Sequence, residues 1–167
     1  MAYSFVGGRI FSQAIAATET AQAADIPLGT IARAVDPTYG PGEFIYLPGI
    51  GSTAVGSLVT YNTVSWTTAL AAVGTNKPQP IAVAMSANVA NQYGWYQISG
   101  MAVCKKTCTV SLAANAAVGV LTTGLLAGTG SGKEIEGALV AAVASATAGR
   151  TTVTVVMNRP RMQGRVT

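Results

Sequence analysis

Apolar and polar side chains alternate along several short segments of the chain, most clearly in residues 92–106, QYGWYQISGMAVCKK. Tyr96 and Ile98 fall on one face of an extended segment, and Gln97 and Ser99 fall on the other. A period of two is what a β-strand requires, and aromatic and β-branched residues suit a pleated, half-buried surface. This segment is therefore predicted to be a strand.

The alternation changes register after Gly100, where the apolar positions become Met101 and Val103. A glycine inside a strand pattern often marks a β-bulge, and one extra residue produces this kind of shift. We therefore predict a long, bent central strand around which shorter strands gather.

Short strand-like segments, separated by turn residues, occupy most of the chain from Leu28 onwards. Residues 43–47 carry apolar side chains on both faces, which predicts that both faces are covered. Turn signals recur every 8–15 residues with no helical segment between them, a spacing typical of an all-β fold. The predicted strands are residues 30–35, 43–47, 57–61, 63–67, 81–86, 92–106, 108–112, 118–122, 137–144 and 150–158.

These patterns predict an all-β fold, an antiparallel β-sandwich or barrel of jelly-roll type with an extended N-terminal arm and a short C-terminal tail. The predicted boundaries are an arm at 1–27, the β-domain at 28–160 and a basic tail at 161–167. The chain has 167 residues, which suits one domain with a real core. Ala-rich composition also allows a short helix from Ser12 within the arm, although weak periodicity favours extended chain.

Charged residues make up only 10% of the chain, whereas hydrophobic residues make up 50%. Soluble domains usually contain about 25% charged residues, so this composition suits a protein whose surface is largely covered by neighbours. The net charge of +4 comes from few residues, and a nucleic-acid binder normally has a denser basic stripe. No segment has the pattern of a membrane span, and the start is a poor match to a signal peptide.

Catalytic chemistry has little support in the residue types present. The chain has no His, which excludes Ser/His and Cys/His nucleophile systems within it. Glu134 and Glu136 are close in sequence and could, with Asp36, supply a hydrolase carboxylate pair, but solvated charge is the favoured interpretation. We expect no catalytic residue, no metal site and no cofactor.

Two further features invite a chemical interpretation. Cys104 and Cys108 are too far apart on one strand for a disulfide, and Lys105 and Lys106 could lower a thiol pKa, but small buried residues are favoured. Residues 127–134, AGTGSGKE, approach a phosphate-binding loop. The first Gly is replaced by Ala and the metal-binding hydroxyl by Glu, so a loop between two strands is predicted.

Four aromatic residues could form a platform for sugars or bases: Trp66, Tyr93, Trp95 and Tyr96. Basic residues are not interleaved with them, as nucleic-acid binding would require. Packing in the core or at a subunit interface is favoured, because aromatic residues are enriched in both.

The order and composition of segments in residues 27–160 resemble the decoration, or cement, proteins of short-tailed bacteriophages. The resemblance rests on PLGTIARAVDPTYGPGEFIYLPGIGSTAVGSLVTYN, on PIAVAMSANVANQYGWYQISGMAV and on a closing strand that ends in Arg159-Pro160. It implies a β-domain that is made in the host cytoplasm, sits on the outside of the virion capsid and forms homo-oligomers, dimers or trimers. It also implies that the partner is the major capsid protein and that the chain is not an enzyme.

The interface candidates are residues of the arm, aromatic residues of the strands and arginines of the tail. They are Tyr3, Phe5, Arg9, Phe11, Phe44, Tyr46, Trp95, Tyr96, Arg159, Arg161 and Arg165. One alternative is a virion-surface recognition module, such as a head-fibre base or a carbohydrate-binding β-domain. Others are a β-fold hydrolase and a neck component that binds DNA through the C-terminal arginines.

Overall fold

A computed structural model describes residues 3–5, 14–18, 26–73, 78–107, 109–130, 132–142 and 147–163. These residues contain no helix and form an 11-stranded, antiparallel sheet that curls into a half-barrel. The strands are β1 Ser4–Phe5, β2 Ile31–Asp36, β3 Gly40–Pro48, β4 Leu58–Tyr61, β5 Thr68–Leu70, β6 Ile81–Ala84, β7 Tyr93–Lys105, β8 Ala117–Thr122, β9 Leu125–Gly128, β10 Glu134–Val140 and β11 Thr152–Met162. The all-β prediction is confirmed.

The main path of the sheet runs β1-β2-β3-β7-β11-β10-β8-β9, with β4, β5 and β6 attached beside β7. The first half of β7 pairs with β3 and β6, and the second half pairs with β11. β7 is therefore the central strand that the sequence predicted, and it joins the two parts of the sheet.

β7 bends sharply, and Gly56 shows how far. Ala84, which pairs with Tyr96, accepts a hydrogen bond from the Gly56 amide, and the Lys105 amide donates to the Gly56 carbonyl, both at 2.8 Å. An extended strand from Tyr96 to Lys105 would span roughly 30 Å. Lys105 bonds to Gly56 directly, and Tyr96 is linked to it through Ala84, so the two ends of that stretch lie much closer than roughly 30 Å and the strand must bend strongly.

The irregularity in β7 lies two residues before the predicted position. Glu43 pairs with Ser99 and Phe44 with Gln97, so Ile98 is the extra residue. The buried Gln97 amide donates to the carbonyl oxygens of Ser99 (3.1 Å) and Met101 (3.0 Å) and so braces the bend.

The predicted change of register at Gly100 is not seen in the burial pattern, because even-numbered residues are buried both before and after Gly100. Gly100 has a φ of 95°, but Ala102 and Cys104 are the fully buried residues beyond it. Met101 and Val103, which were predicted to face the core, are half-buried on the opposite face.

Apolar clusters cover both faces of β3 and the first half of β7. One cluster contains Phe44, Tyr46 and Trp95 and is closed by Ile15 and Ile26 from the N-terminal part of the chain. The second cluster, on the other face, is made of Ile45, Leu47, Val59, Ala82, Ala84, Tyr96 and Ile98. The prediction that both faces of residues 43–47 are covered is therefore confirmed. A third cluster is made mainly of buried residues from β4, β6 and β7–β11.

Two predicted strands differ from the structure. Residues 63–67 form a loop, and the partner of β4 is the later strand β5. The Asn62 side chain accepts hydrogen bonds from the amides of Val64 (2.7 Å) and Ser65 (2.9 Å), which turns the chain before it can extend. Of predicted strand 108–112, Cys108 lies outside the described residues, and the described part forms turns and a single bridge at Leu112.

Candidate functional site

The four aromatic candidates within the β-domain are core residues. Phe44, Tyr46, Trp95 and Tyr96 each have an exposed fraction of 0%. The Trp95 and Tyr46 rings pack with their centroids 5.3 Å apart. Because these side chains are enclosed within a single chain, they stabilise the fold and offer no surface to a partner. This corrects their selection as interface residues.

The described N-terminal candidates contact the chain's own sheet. The Tyr3 ring packs edge-on against Phe44 at 4.8 Å, and its hydroxyl donates to the Met101 carbonyl at 2.9 Å. The Phe5 backbone pairs with Ala34 on β2. Arg9 and Phe11 lie outside the described residues, so an arm that reaches a neighbouring subunit stays a prediction.

Two of the three C-terminal arginines, Arg159 and Arg161, belong to strand β11. Arg159 donates to a carboxylate oxygen of Glu43 at 3.0 Å, and Arg161 donates to Glu136 at 2.7 Å. The predicted boundary at residue 160 was therefore too early, since β11 continues to Met162. Arg165 lies outside the described residues.

A bulge in β11 turns these arginines outwards. Val153, Val155 and Met157 face the core, whereas after the bulge Pro160 and Met162 do so. Arg159 has a φ of 44°, in the left-handed region, and the pairing of β10 with β11 shifts register at this point. Bulges of this kind re-aim side chains, here from the sheet interior to its exposed face.

A row of apolar side chains crosses four adjacent strands on that exposed face. Val156 pairs with Met101 on β7 and with Leu139 on β10, and Leu139 pairs with Ala117 on β8. Directly paired residues in antiparallel strands point to the same side of the sheet. Val156 and Leu139 are each 40% exposed. We call Met101, Val156, Leu139 and Ala117 the apolar row.

No sequence pattern indicated this row, because its members come from four distant segments and only the strand register brings them together. The available signal was Val156, an apolar residue at an outward position of a strand whose other outward residues, Thr152 and Thr154, are polar. Exposed apolar residues that occur singly need no explanation, but a contiguous set often marks an interaction surface.

Two of the three acidic candidates, Asp36 and Glu136, have hydrogen-bond partners for their side chains within the chain. Asp36 is buried, and its carboxylate accepts hydrogen bonds from the amides of Thr38 (2.7 Å) and Tyr39 (3.0 Å), an arrangement that stabilises the β2–β3 turn. Glu136 binds Arg161, and Glu134 begins β10. Among the described residues, no three His, Cys, Asp or Glu side chains are grouped so that they could hold a metal ion.

The glycine-rich stretch leads into a strand, as predicted. Residues 129–133 connect β9 to β10, and the Lys133 carbonyl accepts a hydrogen bond from the Val120 amide at 2.9 Å. A phosphate-binding loop would need a following helix, whose N-terminus holds the phosphate. Strand β10 stands in that place.

Cys104 is a buried core residue, as the favoured interpretation had it, and burial raises the pKa of its thiol to about 12. The suggestion that Lys105 and Lys106 lower the thiol pKa was wrong, because burial is the cause of the shift and it raises the pKa. The buried Lys106 ammonium donates to the backbone carbonyls of Thr107 and Val110, so it fastens the chain after β7.

We expect the protein to lose stability in alkali. The ordinary pKa of the Cys104 thiol is 9.0 and that of the Tyr96 phenol is 10.0, and burial raises both to about 12. The unfolded chain therefore releases these protons at a lower pH than the folded chain does. The contribution of these two groups to the free energy of unfolding is constant below pH 9. Above pH 9 the free energy of unfolding should fall, by up to about 1.4 kcal/mol per pH unit for each group.

Urea unfolding at pH 7, 9, 10 and 11 measures this decline. The variant Cys104→Ala removes the thiol contribution, so its decline should begin near pH 10 instead of pH 9. A wild-type stability that stays flat from pH 9 to 11 would contradict the burial of both groups.

Comparison of the chain with protein-family models, with curated proteins and with solved structures finds no match. Within the part of the chain that the structure describes, there is no helix with the length and apolar character needed to cross a membrane. The exposed face of the sheet and the segment resemblance are therefore the features from which a function can be inferred.

Proposed function

We propose that this chain is a structural virion protein that decorates the outside of a tailed-bacteriophage capsid. In this proposal it binds the lattice of major capsid protein and acts as a cement protein, as a homo-oligomer. The observation that carries the proposal is the apolar row, a continuous apolar strip on the exposed face of the half-barrel sheet.

A strip of this kind favours contact with a large, flat protein surface. Its members lie on paired strands of one sheet, so their spacing is fixed before binding, and little conformational entropy is lost on contact. Beyond the bulge in β11, Arg159 and Arg161 with their glutamate partners border the same region. An apolar centre with a charged rim is the usual composition of a protein interface.

Stabilisation of a shell follows from binding to the assembled state. A ligand that binds one state alone shifts the equilibrium towards it, by about 2.7 kcal/mol per site when its concentration is 100 times its Kd. Stable interfaces bury roughly 1,200–2,000 Å² in total, more than the apolar row alone can supply. The proposal therefore includes contacts from the borders of the row and between copies of the chain.

The test compares capsids that carry the protein with capsids stripped of it. Decorated capsids should rupture at a higher temperature, and adding purified protein to stripped capsids should restore that temperature. The double variant Val156→Thr/Leu139→Thr keeps side chains that strands accept but removes apolar area from the row. It should bind capsids about 5- to 30-fold more weakly, a loss of about 1–2 kcal/mol.

The matched control is Val89→Thr. Val89 has the same exposed fraction as Val156, 40%, but lies in the connection between β6 and β7. It should bind as the wild type does. Equal rupture temperatures with and without the protein would refute cementing, and equal binding of the double variant would remove the apolar row from the interface.

The recognition-module alternative depended on an exposed aromatic platform. Trp95 and Tyr96 are completely buried, so these two residues cannot stack against a sugar. The hydrolase alternative depended on converging carboxylates, whereas Asp36 and Glu136 each have the structural partners described above.

A further inference from the structure

Two arginines are held side by side by one glutamate. Glu43 lies on β3, and its Oε1 accepts a hydrogen bond from Nε of Arg33 on β2 at 3.1 Å and forms an ion pair with Nη2 of Arg33 at 3.1 Å. Its Oε2 accepts from Nε and Nη2 of Arg159 on β11, at 3.2 and 3.0 Å. Both carboxylate oxygens are therefore occupied within the chain. We call Arg33 and Arg159 the arginine pair.

The arginine pair is more exposed than the glutamate that holds it. The side chains of Arg33 and Arg159 are 77% and 61% exposed, whereas that of Glu43 is 18% exposed. A guanidinium group has five N–H donors, and the bonds to Glu43 use only the Nε side of each. The Nη1 side of each arginine remains available for an acceptor from solvent.

The fixed geometry has an electrostatic consequence. The hydrogen bond from Arg159, and then that from Arg33, hold the pKa of the Glu43 carboxyl below its usual range. Glu43 is thus ionised at neutral pH, and the three groups together carry one excess positive charge. Charge-assisted, bidentate contacts to carboxylates are the strongest that arginine makes.

The arginine pair borders an open groove of about 800 Å³ between β2–β3 and the bulged part of β11. The other described residues that line it, apart from Glu43, are uncharged, and they include the apolar residues Val35 and Pro41. Gly100 allows β7 to approach β3 closely at this lining, because a Cβ there would lie 2.4 Å from the Pro41 carbonyl oxygen. The groove therefore combines an apolar floor with a cationic border.

We propose that this groove binds an extended acidic segment of the protein to which the chain attaches. A carboxylate side chain of that segment contacts the arginine pair, and a neighbouring apolar side chain lies on the floor beside Val35 and Pro41. The inference deepens the proposed function and rests on it, because it gives the chemistry of the partner's segment.

Charge complementarity and the apolar floor favour a peptide over a nucleic acid. A nucleic-acid backbone needs a succession of basic side chains along its path. Among the described residues, the groove supplies only the arginine pair, and the next arginine on β11, Arg161, already binds Glu136. An apolar floor is of little use to a phosphate backbone but accommodates a leucine or valine side chain.

Fluorescence anisotropy with two labelled hexapeptides tests the inference. One peptide alternates Asp and Leu, and the other alternates Asn and Leu. Wild-type protein should bind the Asp peptide at least 10-fold more tightly than the Asn peptide. The double variant Arg33→Gln/Arg159→Gln should lose this preference, whereas Arg150→Gln, which changes an exposed arginine outside the groove, should retain it.

Equal affinity of the wild type for the two peptides would overturn the inference. The inference would also be overturned if a labelled single-stranded hexanucleotide bound more tightly than the Asp peptide and the same double variant abolished that binding. Capsid binding separates this result from the proposed function. If the double variant reattaches to stripped capsids as well as the wild type does, the groove inference fails and decoration stands. If the wild type does not attach but discriminates the peptides, decoration fails.

Discussion

Gly100→Ala should destabilise the protein by about 2–5 kcal/mol. Gly100 has a φ of 95°, and a methyl group there would lie 2.4 Å from the Pro41 carbonyl oxygen. The left-handed backbone alone costs an alanine about 1–2 kcal/mol. Overpacking adds about 1–3 kcal/mol, because the obstacle is the backbone of β3 and not a movable side chain. Urea unfolding at pH 7 measures the loss.

Two other glycines separate these contributions. Gly40 has a φ of 75°, and a methyl group added there would have nothing within 4 Å, so Gly40→Ala should show only the backbone cost. Gly51 has open space and no such φ, so Gly51→Ala should change stability by less than about 1 kcal/mol. If Gly100→Ala costs no more than Gly40→Ala, β3 does not approach β7 as closely as described.

Trp95→Ala should cost about 3–5 kcal/mol of unfolding free energy. The side chain is fully buried and packs with Tyr46 in the cluster that Ile15 and Ile26 close. Removing it leaves a cavity beneath the N-terminal residues. We therefore also expect faster hydrogen exchange at the Gly29 amide, which donates to the Tyr46 carbonyl at 2.8 Å.

The matched control is Trp66→Ala. Trp66 is half-buried, and its ring lies directly over Gly29. Its loss should cost about 1–2 kcal/mol, because much of its surface is already in contact with water. Similar losses for the two tryptophans, in thermal or urea unfolding, would contradict the assignment of Trp95 to the core.

The strand pattern was predictable where side chains alternate under a covered face. β2, β3, β6, β7 and β11 all lie at or near their predicted positions, because one or both faces of each are buried. β9 was missed because it lies at the start of a glycine-rich stretch that has no alternation. The loop after β4 was predicted as a strand because its Thr and Val residues favour strands, but the Asn62 side chain turns the chain there.

The candidate site was less predictable for two physical reasons. Periodicity shows that two faces differ, but it does not show whether a buried face meets the same chain or a partner, so Phe44, Tyr46, Trp95 and Tyr96 were misassigned. The apolar row and the arginine pair depend on register between distant strands. A local signal did exist in Pro160, which has no amide to donate and is tolerated in sheets at edges and bulges.

The bend of β7 around Gly56 affects how the protein unfolds. The clusters around Trp95 and around Val155 sit in different parts of the sheet, yet the same strand contributes side chains to both. Melting either part would require releasing a stretch of backbone that the other part holds. Although the described domain has separate apolar clusters, it should therefore unfold as a single cooperative unit.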